Sequence, residues 1–361
     1  MRLTDVGRKI DLKEASVIFP GIPDKKIIKT KDTPSYLDFP ECLRLDFQQK
    51  ILTESKLINK ADLQIKLYED GVISLIARIK FTDLPLDKLH TIKRIKFSIE
   101  EKEYDISEYL KFQNEKTFQQ VKVYIEEPDF APSEFEHEKY TLYCITDAIN
   151  PSEFVETNKE YLACLLMGEN PDLNLHETQI RETLSNPFSF LKNDLVIMDF
   201  DRGIIFDPNL DYEDILLVTE ITNYQLLELR VLDKLLDKRL NIAEKDISMI
   251  YFTGPLLLRR LSNKVGKLLR IKYDLTFILD KVENVSKLIG NYYLSQIYID
   301  LSELFQLKHW IASIRQRLET IGDIYNTAQT NKNEGYLLYL EILLTFVFII
   351  EFVFSLIDYF R

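Results

Sequence analysis

Apolar and polar residues alternate along much of the first 200 positions, and this pattern predicts β-strands. Alternation over residues 63–68, the turn Glu69-Asp70-Gly71 and an apolar run over 72–81 predict a β-hairpin. A second hairpin is predicted over 195–206, with Asp201-Arg202-Gly203 at its turn. Further strands are predicted at residues 95–99, 121–125, 141–145 and 161–167.

After Pro208 the apolar residues recur at helical spacing. Residues 214–240 contain neither Gly nor Pro and predict a helix of about 40 Å. Beyond a break at Gly254-Pro255, helical spacing continues to residue 284 and again over 292–328, and it ends at a polar segment, 330–335, predicted as a linker. Such long helices predict a bundle, with coiled-coil contacts between chains.

The most apolar part of the chain is residues 337–357, which are mostly Leu, Ile, Phe and Val and carry two charges. As a helix they would extend about 31 Å, the thickness of the hydrocarbon core of a bilayer. Glu351 would cost roughly 3 kcal/mol on insertion, whereas about 13 apolar residues each contribute roughly −0.5 kcal/mol. The balance favours a membrane span over the alternative, a buried helix of a soluble core.

Polar residues of this segment share one side of the predicted helix. At about 100° per residue they fall within an arc of about 140°; they are Glu341, Thr345, Glu351, Ser355 and Asp358. Because ionisable residues inside a membrane usually face a partner or a cavity, we call this set the polar stripe and predict that it mediates homo-oligomer contacts.

These patterns together predict an α+β fold class. We expect an N-terminal mixed α/β domain with antiparallel hairpins at residues 1–207 and a long-helix C-terminal bundle at 208–329. The linker at 330–335 would lead to one C-terminal transmembrane helix at 336–358.

Composition adds a compartment to this prediction. The first residues lack the apolar core of a secretory signal, and the three cysteines share no close spacing, as expected in a reducing compartment. The four histidines are isolated from one another, so no metal site is predicted. We therefore expect a single-pass, tail-anchored protein of the cell (inner) membrane with its bulk in the cytoplasm, and no cofactor or small-molecule substrate.

Positive charge is concentrated beside the predicted span. Residues 255–335 carry 12 basic and 8 acidic side chains, whereas the whole chain has a net charge of −12. The predicted basic surface comprises Arg259, Arg260, Lys264, Lys267, Arg270 and Lys272. Three interpretations stay open: a solvated face of a packed helix, contact with anionic membrane lipid, and contact with RNA or the ribosome.

One pair of carboxylates is a candidate for catalysis. Asp199 and Asp201 follow an apolar strand, as the acids of Mg²⁺-dependent haloacid-dehalogenase-type phosphatases do. However, Arg202-Gly203 follows and the chain returns as a strand, so ordinary turn chemistry is the alternative. We expect a non-enzymatic protein, with the phosphatase or phosphodiesterase as the enzyme alternative.

Several segments resemble a family of membrane proteins called "required for meiotic nuclear division". The most specific similarity is Leu340-Glu341, an apolar run and Glu351 ten residues after the first Glu. Weaker similarities lie at residues 193–201, 265–275 and 314–318. The resemblance implies an α/β region, a helical region, one C-terminal membrane helix and self-association. For mitochondrial members it also implies a role in tethering or supporting organellar translation.

The resemblance carries over no catalytic residues. We expect no transit peptide, and Lys272 stands where the family usually has Arg, so a bacterial relative at the cell membrane fits better than a mitochondrial one. Taken together, the sequence predicts an oligomeric scaffold or tether.

Overall fold

A computed structural model describes most of the 361 residues. The described residues are 1–24, 41–50, 60–81, 84–99, 102–126, 130–148, 150–252, 272–273, 276, 279 and 291–359. Within them the fold is α+β, with sheets and short helices followed by long helices. This confirms the predicted fold class.

The strands belong mainly to two sheets. They are β1 (Arg2–Asp5), β2 (Ile22–Asp24), β3 (Cys42–Lys50), β4 (Lys60–Tyr68), β5 (Val72–Ile79), β6 (Phe97–Ile99), β7 (Lys102–Tyr104), β8 (His137–Lys139), β9 (Thr141–Ile145), β10 (Pro187–Phe188), β11 (Leu195–Met198) and β12 (Arg202–Phe206). An antiparallel sheet has the order β2-β3-β4-β5-β1-β8. A second sheet has the order β10-β11-β12-β9, in which β12 and β9 run parallel, and β6 pairs with β7.

Short helices lie among the strands in chain order, and long helices follow them. They are α1 (Leu12–Ile18), α2 (Ile106–Val121), α3 (Pro151–Thr157), α4 (Lys159–Met167), α5 (Glu177–Thr183), α6 (Glu213–Phe252), α7 (Tyr292–Leu304) and α8 (Leu307–Tyr359). Short 3-10 helices lie at Leu86–Arg94, Lys122–Tyr124 and Pro132–Glu134.

Compact packing divides the chain into two units. One comprises Met1–Val231 and Val282–Lys308, and the other comprises Leu232–Lys281 and His309–Arg361. The boundaries predicted after residues 207 and 329 stay predictions.

Period-two alternation in the central strands creates two different faces of the six-stranded sheet. Leu63, Ile65 and Leu67 of β4 are buried in the core that includes α1 and α2. Lys66 and Tyr68 point to the opposite face, because successive strand residues alternate. That face packs against the N-terminal part of α6.

Both predicted hairpins are confirmed. In the first, β4 and β5 pair across a turn in which Gly71 has φ +90°, a value that favours glycine. In the second, β11 and β12 pair across Asp199-Phe200-Asp201, so the turn lies two residues before the predicted Asp201-Arg202-Gly203, of which Arg202 and Gly203 belong to β12. The strand predicted at 141–145 is confirmed as β9, and the one at 95–99 begins two residues later as β6.

Two strand predictions were wrong. Residues 121–125 contain the end of α2 and a 3-10 helix. Helix α2 begins at a capping box, in which the Asp105 side chain accepts from the Glu108 N–H (2.8 Å) and Glu108 accepts from the Asp105 N–H (3.0 Å). Residues 161–167 lie in α4, which ends at Gly168 with φ +76°. A short apolar run fits a buried helix as well as a strand.

The long-helix predictions are confirmed with two corrections. Helix α6 covers the predicted 214–240, and the break at Gly254-Pro255 lies outside the described residues. The helix predicted over 292–328 is interrupted at Gln306, which has φ +54°. The segment 330–335 is helical and continuous with α8 rather than a break in it, since no proline interrupts its backbone hydrogen bonding.

Candidate membrane segment and the other predicted sites

The C-terminal part of α8 presents an apolar surface that is not buried by the residues the structure describes. Residues Leu337–Ile357 form 21 helical residues with a mean hydropathy of 2.5, and none of this segment is buried. Phe348 is 61% exposed and Phe354 is 67% exposed. A core helix of a soluble protein would be mostly buried, so this segment has the length and composition, and also the exposure, expected of a membrane span.

The polar stripe lies on this exposed helix. The Thr345 hydroxyl donates to the Glu341 carbonyl oxygen at 2.7 Å, so its hydrogen bond is satisfied within the helix. Within the described part of the chain, the carboxylates of Glu341 and Glu351 have no hydrogen-bond partner. Ser355 is exposed on the same helix, and Asp358 continues it. Two carboxylates therefore remain to be satisfied by something beyond this helix.

Most of the predicted basic surface lies outside the described residues: Arg259, Arg260, Lys264, Lys267 and Arg270. Lys272 is described and half-buried. Its Nζ lies so close to the buried Gly322 of α8 that a Cβ there would approach it to 2.4 Å. The ammonium of Lys272 thus packs over a glycine of the neighbouring helix, and this residue is not a free surface cation.

Helices α6 and α8 are joined by ion pairs. The Arg317 guanidinium lies 3.0 Å from an Asp233 carboxylate oxygen and 2.6 Å from one of Asp237. Arg317 belongs to the segment 314–318, one of those that resemble the meiotic nuclear division family. Partial burial raises the pKa of Asp233, and the charge of Arg317 opposes that rise. The role of this arginine is structural: it bridges two helical turns of α6.

The two candidate catalytic aspartates lie at the β11–β12 turn. The Asp199 carboxylate accepts from the Phe200 N–H at 2.8 Å, and the Asp201 carboxylate lies 3.3 Å from the Arg202 guanidinium. Desolvation raises the pKa of Asp199. Both carboxylates therefore make contacts within the turn, as ordinary turn chemistry would predict. The phosphatase function stays a prediction.

Tyr140 fixes the end of the same hairpin. Its hydroxyl lies 2.8 Å from the carbonyl oxygens of both Asp199 and Arg202, to which it can donate one proton. Burial raises the pKa of Tyr140 well above its ordinary value. The phenol thus holds the turn from inside the protein, which further favours a structural role for this hairpin.

A buried ionic cluster was not predicted from the sequence. Glu220 of α6 is fully buried and accepts from three groups of the six-stranded sheet: the Lys66 ammonium, the Tyr68 hydroxyl (3.0 Å) and the Ser74 hydroxyl (2.6 Å). The alternation of Gln64, Lys66 and Tyr68 on one face of β4 was the signal that could have located it. The cluster fastens α6 to the sheet.

The described residues contain no group of three or more His, Cys, Asp or Glu side chains that could hold a metal ion. The three cysteines are free thiols, and Cys42 and Cys164 are buried.

Comparison with known proteins places these features in a family context. The model of a family described as "Uncharacterized protein MJ0711, N-terminal domain" matches residues 1–213, more than half of the chain. The chain is also similar to an uncharacterized protein, MJ0711, from the archaeon Methanocaldococcus jannaschii, with 29% identity over 315 residues. That match covers 85% of this chain and 84% of the relative. No solved structure gives a significant match.

These matches bear on two earlier predictions. The similar protein is archaeal, so the bacterial origin we predicted is not supported. The resemblance to the meiotic nuclear division family is not tested by either match and stays a prediction. The family model ends at the start of α6, and the match to the archaeal protein covers more of the chain than the family model does.

Proposed function

The chain belongs to the family of the MJ0711 N-terminal domain, and we propose that its long helices hold this domain at the cell membrane as a non-enzymatic, oligomeric scaffold or tether. The single observation that carries the proposal is the exposed apolar segment Leu337–Ile357. The proposed partner of this segment is membrane lipid. The segment would cross the bilayer once, with the bulk of the protein in the cytoplasm.

Transfer of this segment from water into a bilayer would be favourable. All backbone groups within the segment can be paired inside the helix, which hydrocarbon requires. Its large side chains are about half exposed, so transfer to lipid removes apolar surface from water at about 25 cal/mol per Å². Glu341 lies near one end, where a charged group costs less than it does at the centre.

The polar stripe supports self-association. Glu351 lies inside the apolar segment, where a carboxylate without a partner is costly. A second copy of the helix could supply hydrogen-bond donors such as the Ser355 hydroxyl, or exclude lipid from the carboxylates. The charge of residues 255–335 supports the cytoplasmic side, because basic residues beside a span favour that side and its anionic lipid.

The full-length variant Leu344→Arg/Phe348→Arg tests the membrane assignment. Each arginine should cost about 2.5–3.5 kcal/mol at the centre of a span. The two arginines together therefore cost more than the roughly 3 kcal/mol by which membrane insertion of the wild-type segment is favoured. We expect the wild type to pellet with membranes and resist alkaline extraction, and the variant to lose this resistance. The matched control is Arg181→Gln/Lys192→Gln, which changes two surface cations elsewhere.

Deleting residues 336–361 should likewise release the remainder from membranes. If the wild-type chain were soluble and monomeric without detergent, the proposal would be wrong. If the doubly charged variant stayed resistant to extraction, the apolar segment would not be the anchor.

A further inference from the structure

A cavity of about 760 Å³ lies within the first unit, between parts of the two sheets. It is bordered by the C-terminal half of β5, by β9, by the 3-10 helix Leu86–Arg94 and by the first turn of α2. Its volume is in the range of pockets that bind small molecules, about 300–1,000 Å³. Most of the wall is apolar, including Ile79, Phe81, Leu89, Ile92, Leu142 and Phe154.

Arg2 brings a positive charge into this apolar wall. The residue lies on β1, lines the cavity and is only 7% exposed. Its Nε has no hydrogen-bond partner, and the guanidinium makes no ion pair with any described residue. Burial lowers the pKa of Arg2. A buried charge without a partner is strongly unfavourable, so the site is electrostatically incomplete.

Lys139 adds a second cation beside the first. It stands directly opposite Arg2 in the β1–β8 register, and directly opposite side chains share one face of a sheet. The Lys139 ammonium donates to the Ser107 hydroxyl at 3.2 Å, at the exposed edge of the cavity. Desolvation and the charge of Arg2 lower the pKa of Lys139, and the carboxylate of Asp105 opposes this shift in part. Two like charges in this position repel one another unless an anion lies between them.

The acidic residues of the wall do not supply that anion. Asp201 lies 3.3 Å from Arg202, and the Asp147 carboxylate accepts from the Thr146 hydroxyl at 2.7 Å. Three further cationic groups line the cavity: Arg78 is paired with Glu213 at 2.9 Å, the Met1 ammonium donates to the Tyr140 carbonyl oxygen at 2.8 Å, and Lys80 is exposed. Among the described residues of the wall, Arg2 is therefore the buried cation that lacks an ion-pair partner, and Lys139 lies beside it.

We propose that this cavity binds a single-chain anionic amphiphile, whose carboxylate or phosphate headgroup contacts Arg2 and Lys139 and whose apolar chain fills the hydrophobic part. Charge complementarity identifies the head, and the apolar wall identifies the chain. The site lies wholly within residues 1–216 and does not depend on the membrane segment.

Calorimetric titration of the full chain in non-ionic detergent tests the proposal, with protein-free micelles as the blank. The probes are octanoate, octyl phosphate, 1-octanol and inorganic phosphate. We expect one or both amphiphilic anions to bind. Octanol and inorganic phosphate should bind at least tenfold more weakly, because each lacks one half of the recognised chemistry. The stronger of the two anions distinguishes a fatty-acid head from a phosphate-ester head.

Variants of the two cations locate the binding site. Arg2→Gln should weaken the better anion about tenfold or more, since a charge-assisted hydrogen bond and an ion pair are both lost. Lys139→Gln, at an exposed position that folding tolerates, should weaken it about threefold or more. The matched control Arg181→Gln removes an exposed arginine of α5 and should leave the affinity unchanged.

A chain-length series tests the apolar half. Affinity should rise about threefold to fourfold for each methylene from butanoate to octanoate. No binding of either anion, equal binding of octanol, or unchanged affinity in both Arg2→Gln and Lys139→Gln would overturn the proposal. So would inorganic phosphate binding as tightly as octyl phosphate.

Discussion

Lys66 of β4 and Glu220 of α6 form an ion pair in which both side chains are more than nine-tenths buried. Two hydroxyls, from Tyr68 and Ser74, donate to the same carboxylate. An ion pair in this setting contributes little net stability, because desolvation offsets most of the attraction. We infer that it contributes to packing specificity instead, because the register of α6 against the sheet places the Glu220 carboxylate opposite the ammonium.

Breaking one side of this pair should be strongly destabilising. We expect Glu220→Gln or Lys66→Met to lower the free energy of unfolding by about 3–5 kcal/mol, because each leaves an uncompensated buried charge. Chemical denaturation of the full chain in detergent, followed by circular dichroism, measures the change. The double variant Lys66→Met/Glu220→Leu should recover most of the loss. Additive losses in the double variant would show that the two residues are not coupled.

Three buried tyrosines predict a loss of stability at alkaline pH. Burial raises the pKa values of Tyr68, Tyr140 and Tyr224 well above the ordinary 10.0. Below pH 10 both folded and unfolded states keep these protons, so stability is unaffected. Above it the unfolded state releases protons that the folded state retains, and stability falls by about 1.4 kcal/mol per pH unit for each tyrosine.

Ultraviolet titration of the full chain checks this prediction. These three phenols should ionise only together with loss of structure, which circular dichroism follows in parallel. Replacing Tyr140 with Phe should reduce the loss of folding stability above pH 10 by the contribution of one phenol, about 1.4 kcal/mol per pH unit. Early, reversible ionisation of all tyrosines in the folded protein would contradict the argument.

The hairpins and the exposed apolar helix could be predicted because their signals are local. Alternation around Gly71 predicts a turn between two strands, and a run of 21 mostly apolar residues predicts a helix long enough to cross a membrane. Signals that depend on tertiary context could not be read in the same way. The apolar run in α4 is compatible with either a strand or a buried helix, and the helix break at Gln306 is not marked by Gly or Pro.

The polar sites show the same division. Asp199 and Asp201 attracted attention because their spacing matches a catalytic pattern, yet turn contacts engage both. Arg2 and Glu220 carry no local pattern at all. Their significance comes from burial and from residues more than a hundred positions away, which a single sequence does not bring together.

Gly71 should be the least replaceable glycine among those described. Its φ is +90°, and an added Cβ would lie 1.7 Å from the Gly7 carbonyl oxygen. Gly71→Ala should therefore lower the free energy of unfolding by at least about 1–3 kcal/mol, measured by chemical denaturation. Gly71→Asn tolerates the backbone conformation but not the contact, so it should remain destabilised.

Gly168 provides the comparison for this prediction. It has φ +76°, but the atoms nearest its added Cβ belong to the flexible guanidinium of Arg202. Because a side-chain end can move where a backbone carbonyl cannot, Gly168→Ala should cost less than Gly71→Ala. The reverse order would show that the carbonyl of Gly7 can shift.

The polar stripe should separate self-association from membrane attachment. Glu351→Leu removes the central carboxylate and lengthens the uninterrupted apolar run, so insertion should become more favourable by about 3 kcal/mol. If the stripe mediates helix–helix contact, the same change should lower the mass of the detergent-extracted particle, measured by light scattering corrected for detergent. Ile350→Leu is the matched control, because it lies on the opposite side of the helix and keeps an apolar side chain. If the particle mass were unchanged in Glu351→Leu and also in Glu341→Leu, any oligomer contact would lie elsewhere in the protein. A smaller particle in the Ile350→Leu control would show that the apolar face, rather than the carboxylates, holds the copies together.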